Sequence, residues 1–318
     1  MDKEARIYVA GNTTVLGTAI VRTLHEAGYT NLVGRGDTEP DPTSRVEVDH
    51  FFALSQPDFV FIAAGKSGGI KANQQRGADL MEHNLRVVTT LIPAAHRHGV
   101  KKLLYLGSAC VYPRECPQPM TEDYLMDGPL EPTSGPYSVA KIAGIHLVQA
   151  FRQQYDAPFI AAIPTNYFGP GDTFDPENSH VIPGLMRRMD DARHLRARDI
   201  EVWGSGKAIR EFLPVADLAR ACIHAMQHYN ETEPINLANG HALSIAEAAE
   251  TIASIVGFQG AITFDDSSPD GAPKRILDGA KLRALGWEPE IPFAHALEEL
   301  YVWYRNHVVT AHLESGAA

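Results

Sequence analysis

The sequence predicts an α/β fold, a doubly wound parallel sheet followed by a smaller C-terminal lobe. Short apolar runs at Ala5–Ala10, Phe59–Ala63, Leu103–Leu106 and Phe159–Ile163 read as buried strands. Segments with helical apolar spacing separate them, at Val15–His25, Leu80–His98 and Tyr137–Tyr155. Near residue 170 the alternation stops and loops rich in Pro, Asp and Asn take over. The expected division is therefore 1–170, with part of 212–240 returning to it, and 171–318.

The first strand runs into Gly11-Asn-Thr-Thr-Val-Leu-Gly17 and then a helix. Strand, glycine turn and helix are the entry of a Rossmann-type dinucleotide site. There the backbone of Gly11, Thr13, Thr14, Val15, Leu16 and Gly17 can approach and cradle a pyrophosphate at the helix N-terminus. Thr14 stands where the middle glycine of G-x-x-G-x-x-G belongs, so a tight turn without a ligand is the competing reading. The second strand, Asn31–Val33, ends in Gly34-Arg35. An arginine at this point suits the 2′-phosphate of NADP(H), whereas an acid would suit NAD(H), which stays open. Glu39-Pro-Asp-Pro-Thr-Ser44 makes a poor strand because two prolines remove ladder donors. The strand Phe59–Ala63 opens into Ala64-Gly-Lys-Ser-Gly-Gly-Ile70, so Ala63, Ala64 and Gly65 belong in the ligand cleft at the strand ends.

The next strand delivers Ser108 and Cys110 at its end, and Tyr137 and Lys141 follow at the start of a helix. Four residues apart, the phenol and the ammonium leave one helical face. A serine, a tyrosine and a lysine so placed can exchange a proton with a carbonyl or alcohol oxygen. The lysine charge is expected to lower the tyrosine pKa, and the serine to hold the substrate oxygen. Pro164-Thr-Asn-Tyr-Phe-Gly-Pro170 leaves the strand Phe159–Ile163. The second half then supplies His180, Arg187, Arg188, Trp203 and Arg210, a mixture that can close over a polar, anionic substrate. A short strand is expected at Ile200–Trp203. The helix Val215–Gln227 and the strand Ile235–Leu237 return to the first lobe, and Pro292–His307 is the last helix. Thr310–Ala318 reads as a loose tail.

A chain of 318 residues with 44% hydrophobic content can bury a large core. Its net charge of −11 argues against a nucleic-acid binder, while a local basic pocket for a small anion is compatible with it. No apolar run is long enough to cross a bilayer, and Met1-Asp2-Lys3-Glu4 does not open a secretory signal. Cys110, Cys116 and Cys222 are odd in number and lack zinc spacing, so no metal site is expected and a reduced cytoplasm is the plain reading. The helices near 80–98 and 137–155 are candidates for packing against a second copy as a homodimer.

Five stretches together resemble the extended short-chain dehydrogenase/reductases that act on nucleotide sugars, above all the 3,5-epimerase/4-reductases of GDP-4-keto-6-deoxy-mannose. They are FIAAGKSGGIKAN (61–73), KKLLYLGSACVYP (101–113), LEPTSGPYSVAKIAGI (130–145), PTNYFGPGDTFDPENSHVIP (164–183) and VWGSGKAIREFLPVADLA (202–219). The resemblance runs nearly end to end. It implies that Tyr137 protonates the C4 oxygen while NADPH delivers hydride, that Lys141 holds the nicotinamide ribose, and that Ser108 bonds the carbonyl. It implies that Cys110 and His180 are the acid/base pair for epimerisation. Such a pair follows from the chemistry: the C4 ketone acidifies C3 and C5, and inversion removes a proton from one face and returns it to the other. Pro164, Asn166 and His180 would complete the cofactor site. Ser67, Asn166, Arg187, Trp203 and Arg210 would bind the substrate, the arginines gripping diphosphate or hydroxyls.

The sequence departs from that pattern at Thr14, at Thr13 where a basic residue is usual, at Asp41–Ser44, and at Ser67 where valine is usual. A narrower reaction is therefore a second reading: a C4 reductase or single epimerase making another deoxysugar or a heptose. A third, of another class, is a redox sensor that holds NADP without turnover.

Overall fold

The computed structural model describes residues 1–176, 179–267 and 271–310. The first half consists of β1 (Ile7–Ala10), α1 (Val15–Glu26), β2 (Leu32–Val33), α2 (Arg45–Ser55), β3 (Phe59–Ile62), α3 (Ile70–Gln75), α4 (Gly77–Arg97), β4 (Lys102–Leu106), α5 (Gly135–Tyr155) and β5 (Phe159–Pro164). There follow β6 (Asn166–Phe168), α6 (Val181–His194), β7 (Asp199–Trp203), β8 (Ile209–Pro214), α7 (Val215–His228) and β9 (Ile235–Leu237). The chain closes with β10 (Ala242–Ser244), α8 (Ile245–Val256), β11 (Ala261–Asp265), β12 (Lys274–Arg275), α9 (Ala280–Ala284) and α10 (Phe293–Tyr304).

Six strands form one parallel sheet in the order β2-β1-β3-β4-β5-β9. Strand side chains alternate between its two faces. Tyr8, Val60, Ile62, Leu103 and Tyr105 meet Phe52 of α2, Val88 and Leu91 of α4, and Ile145 and Val148 of α5. Ile7, Val9, Phe61, Leu104 and Leu106 meet Leu16, Ile20 and Leu24 of α1 and Leu218, Cys222 and Met226 of α7. Every strand is therefore covered twice, which is why the apolar runs carry no polar alternation. No strand forms at Glu39–Ser44; Gly36–Thr38 makes a 3₁₀ turn and Ser44 caps α2, accepting from the Glu47 amide.

The rest builds a separate layer. β10, β8 and β12 pair together with β6 beside β8, and β7 pairs with β11. Their core packs Met186 and Met189 of α6 on Ala249 and Ile252 of α8 and on Leu297 and Leu300 of α10. The helix predicted to end at His307 stops at Tyr304, and a π turn carries the chain from Arg305 to Val309, with Thr310 Oγ1 donating to the Arg305 carbonyl at 3.0 Å. Thr310 is thus part of that ending rather than of a loose tail; 311–318 lie outside the described residues, as do Glu177 and Asn178 of the 164–183 motif. No helix among the described residues is long and apolar enough to cross a membrane.

Candidate active site

The strand order reverses between β1 and β3, which opens a crevice at their carboxyl ends. Gly11 stands there at φ +81°, and a Cβ on it would lie 2.6 Å from Ala64 Cα. A Cβ on Gly17 would fall 1.9 Å from the Gly11 carbonyl oxygen. Both positions admit glycine alone. Thr14 is compatible with the turn because its side chain folds back into it. Its Oγ1 donates to the Gly11 carbonyl at 2.8 Å and accepts from the Gly17 amide at 3.1 Å, capping α1. With the Gly17 amide taken by Thr14, the Val15 and Leu16 amides at the start of α1 have no intrahelical acceptor and can face an anion. The residues present therefore fit a dinucleotide pyrophosphate, with the threonine replacing a glycine without filling the crevice.

Sequence reasoning missed Glu39 beside this turn. Its Oε1 accepts from Gly11 N at 2.6 Å and Asn12 N at 3.3 Å, and burial holds its carboxyl above the usual range. Thr13 and Arg35 are exposed nearby in the chain. A glutamate in a proline-bounded loop carries no periodic signal that would have marked it.

On the other side of the crevice, Lys141 is 7% exposed and donates to the Leu106 carbonyl at 2.9 Å. A Cβ on Gly65, at φ +144°, would lie 3.6 Å from Lys141 Nζ and 2.6 Å from Asn84 Oδ1. Asn84, also missed, is buried on α4 and donates to the Lys66 and Leu80 carbonyls at 2.8 and 2.7 Å, fixing the loop after β3. An asparagine amid apolar positions of a long helix was the available signal.

Tyr137 is buried, and burial pushes its phenol well above its ordinary pKa; Cys110 and Tyr167 nearby add to the rise, while a hydrogen bond with Ser108 opposes it. The expectation that Lys141 lowers this pKa is corrected. Burial also depresses the lysine, to about 8, with Cys110 acting against that fall. Desolvation outweighs the attraction because neither charged form reaches water. A phenol held protonated is a proton donor. Ser108, Cys110, Tyr137 and Lys141 thus form one cluster at the ends of β4 and α5.

His180 sits at the N-cap position of α6 without a side-chain cap bond, half-exposed, with Nδ1 3.9 Å from Asp172 Oδ1. Asp172 is buried and neighbours Tyr167, whose pKa burial pushes up to about 12, and Tyr167 in turn neighbours Tyr137. Asp172 is a third residue the sequence reading missed. The segment before His180 overlies the glycine loop: a Cβ on Gly69 would lie 3.5 Å from the Ser179 carbonyl. Ser67 is exposed on that loop.

The remaining expected residues are spread over the second layer. Pro164 ends β5, and Asn166 on β6 is exposed, its Nδ2 donating to the Glu211 carbonyl at 3.2 Å. Arg187 on α6 is engaged already, donating to the Phe174 carbonyl at 2.9 Å and pairing with Asp191 at 3.6 Å. Arg188, next to it, bonds the Glu201 carbonyl on the surface. Trp203 is 70% exposed at the end of β7. Arg210 donates to the Ile209 carbonyl at 2.9 Å and approaches the Gly271 turn. Asp217 is buried in the first turn of α7, where it accepts from the Glu290 and Ile291 amides at 3.1 and 3.0 Å and pairs with Arg220.

A model of the NAD dependent epimerase/dehydratase family matches residues 7–238, spanning the glycine turn and the whole cluster. The chain belongs to the NAD dependent epimerase/dehydratase family. Within it, the chain is similar to GDP-L-fucose synthase 1 of Arabidopsis thaliana, at 45% identity over 307 residues, 96% of this chain and 95% of the relative. Among solved structures it is similar to a GDP-6-OMe-4-keto-L-xylo-heptose reductase from C. jejuni, with TM-score 0.90, 30% identity, and coverage of 96% and 99%. It is also similar to a GDP-L-fucose synthetase from Naegleria fowleri bound to NADP, with TM-score 0.88, 28% identity, and coverage of 98% and 97%. The family's dinucleotide fold is thus present over its full extent.

Proposed function

We propose that this chain is an NADP(H)-dependent 3,5-epimerase/4-reductase of a GDP-linked 4-keto-6-deoxy sugar, the activity of a GDP-L-fucose synthase. The observation that carries the reading is the convergence of a protonated phenol, a serine and a thiol around a buried lysine. The names of the relatives support the same substrate class.

The glycine turn, with Arg35, Ala63, Ala64 and Gly65, would hold the dinucleotide, and Lys141 the nicotinamide ribose beside Pro164 and Asn166. Bound NADPH supplies the hydride that reduces C4. Tyr137 gives its proton to the C4 oxygen as that reduction proceeds, and Ser108 holds the oxygen in line. Before that step, Cys110 and His180 move protons at C3 and C5, one removing from one face and the other returning to the opposite face. Asp172 orients His180. Arg187 and Arg210 grip diphosphate or hydroxyls, with Trp203, Asn166 and Ser67 lining the sugar. Arg187 must exchange its present partners to do so.

The division into 1–170 with part of 212–240, and 171–318, serves this scheme: one part holds the dinucleotide and the other closes on the sugar. A homodimer through α4 and α5 is supported by the exposed Val139 and Tyr155 on α5, the latter stacked on His96 of α4 at 4.3 Å. A cytoplasmic location is part of the proposal, supported by three cysteines that form no disulfide.

Incubation with GDP-4-keto-6-deoxy-mannose in deuterated water without NADPH tests the reading. Deuterium should enter at both C3 and C5, and NADPH should then be oxidised on addition. NADPH oxidation without exchange would sink the epimerase half and favour a C4 reductase, a reading to which the heptose reductase likeness and Ser67 lend weight.

A further inference from the structure

The peptide unit between Ala109 and Cys110 has a partner on each side, a short one at its carbonyl and a longer one at its N–H. Its N–H, which belongs to Cys110, donates to Ser108 Oγ at 3.4 Å. Its carbonyl accepts from Arg275 Nη1 at 2.9 Å, far along the chain on β12. Arg275 is 9% exposed. A guanidinium keeps its charge and carries five donors, so burial is costly unless specific acceptors answer it. Among the described residues Arg275 makes no ion pair, and its guanidinium donates to the Ala109 carbonyl. The Tyr112 amide also reaches that carbonyl, at 3.5 Å, and like the 3.4 Å Cys110–Ser108 contact this is long; the Arg275 bond is the short one.

Arg275 has little freedom to leave. It is in register with Arg210 on β8, and the next three residues are tied in turn. Ile276 N donates to Gln118 Oε1 at 2.9 Å, Leu277 N to Glu211 Oε2 at 3.2 Å, and Asp278 N to the Met120 carbonyl at 2.8 Å. The substrate-side layer is thereby stitched to the turn that carries the reactive thiol.

We propose that Arg275 is a positioning residue for Cys110 and Ser108, acting through the 109–110 peptide. This rests on the epimerase/reductase reading above. A peptide unit is planar, so fixing its orientation restricts where the Cys110 side chain leaves the turn. The cation on the carbonyl also polarises the unit and strengthens donation from its N–H to Ser108 Oγ. With that oxygen accepting, the serine proton is left to point at Tyr137 or at the substrate oxygen.

The test compares Arg275→Met with Arg275→Lys, which restores a cationic donor; Arg275→Gln replaces the methionine variant if that does not fold. Two readouts are taken on the full chain: the pH profile of Cys110 alkylation by iodoacetamide, located by peptide mass, and steady-state exchange at C3 and C5 of the 4-keto sugar. The methionine variant should lose about ten- to a hundredfold in the rate constant of exchange, with KM for the nucleotide sugar within about twofold. Its alkylation profile should differ from the parent's, and the lysine variant should recover most of both. A superimposable alkylation profile, or a raised KM at unchanged exchange rate constant, overturns the proposal. If the parent itself shows no exchange, the epimerase reading fails, and the alkylation arm still decides whether Arg275 aims the thiol.

Discussion

Lys141 donates to the Leu106 carbonyl at 2.9 Å while its ammonium stands 5.9 Å from the ring centroid of Tyr137. The lysine is anchored to the end of β4, and the phenol beside it stays protonated because burial outweighs that attraction. Under the proposed function Tyr137 then serves the direction of reduction, as an acid. Tyr137→Phe should lower the rate of NADPH oxidation by about two to four orders of magnitude while leaving NADPH binding intact. Stopped-flow absorbance and a fluorescence titration of the same sample check this; a loss under tenfold removes the tyrosine from the chemistry.

The proposed function gives the thiol a separate task. Cys110→Ser should abolish deuterium entry at C3 and C5, yet reduce a 4-keto sugar that has already been inverted at both carbons. Nuclear magnetic resonance of the recovered sugar reports the first, and absorbance the second. Equal loss of both activities would mean that Cys110 holds the pocket together rather than moving protons.

The Lys141 ammonium also links stability to pH. Burial depresses its pKa from 10.5 to about 8. Between those values the unfolded chain binds the proton and the native chain does not, so stability rises with pH across that window. Below about 8 the lysine is charged in both states and its burial cost is fully present. Lys141→Met lacks this dependence. From about pH 7 to about pH 10.5 the unfolding free energy of the parent should improve relative to the variant by up to roughly 3 kcal/mol. Denaturant titrations at the two pH values measure it; a constant difference refutes the assigned pKa.

At the glycine turn the space is fixed by atoms that cannot move aside. Gly17→Ala would drive a methyl onto the Gly11 carbonyl, 1.9 Å from the oxygen. Unless the start of α1 shifts, the turn opens and the pyrophosphate cradle goes with it. We expect at least a tenfold loss in NADPH affinity by calorimetry, about 1.4 kcal/mol or more. Unchanged affinity would place the dinucleotide elsewhere.

Much of this was legible beforehand because it depends on local pattern. The buried strands announced themselves as apolar runs, and the alternation with amphipathic helices implied the parallel sheet. Ser108, Cys110, Tyr137 and Lys141 are close in the chain, with only one loop to bring them together. What stayed hidden depends on contacts between distant segments. Glu39 reaches back to Gly11, Asn84 holds a loop that begins at Lys66, and Arg275 bonds Ala109; no periodicity marks any of them. The sign of the Tyr137 shift was hidden for a related reason. The neighbouring lysine is visible in the sequence, but the depth of burial that outweighs it is not.

The position of β9 has a practical consequence. The large sheet receives this strand, beside β5, only after the chain has left for the second layer and come back through α7. A fragment stopped after β6 would leave β5 as an open border with unmatched amides, and would strip α1 of the apolar cover that Leu218, Cys222 and Met226 provide. The sheet and the second layer thus cannot be parted by one cut, and a chimera that replaces the second layer has to exchange two stretches, one on each side of α7 and β9.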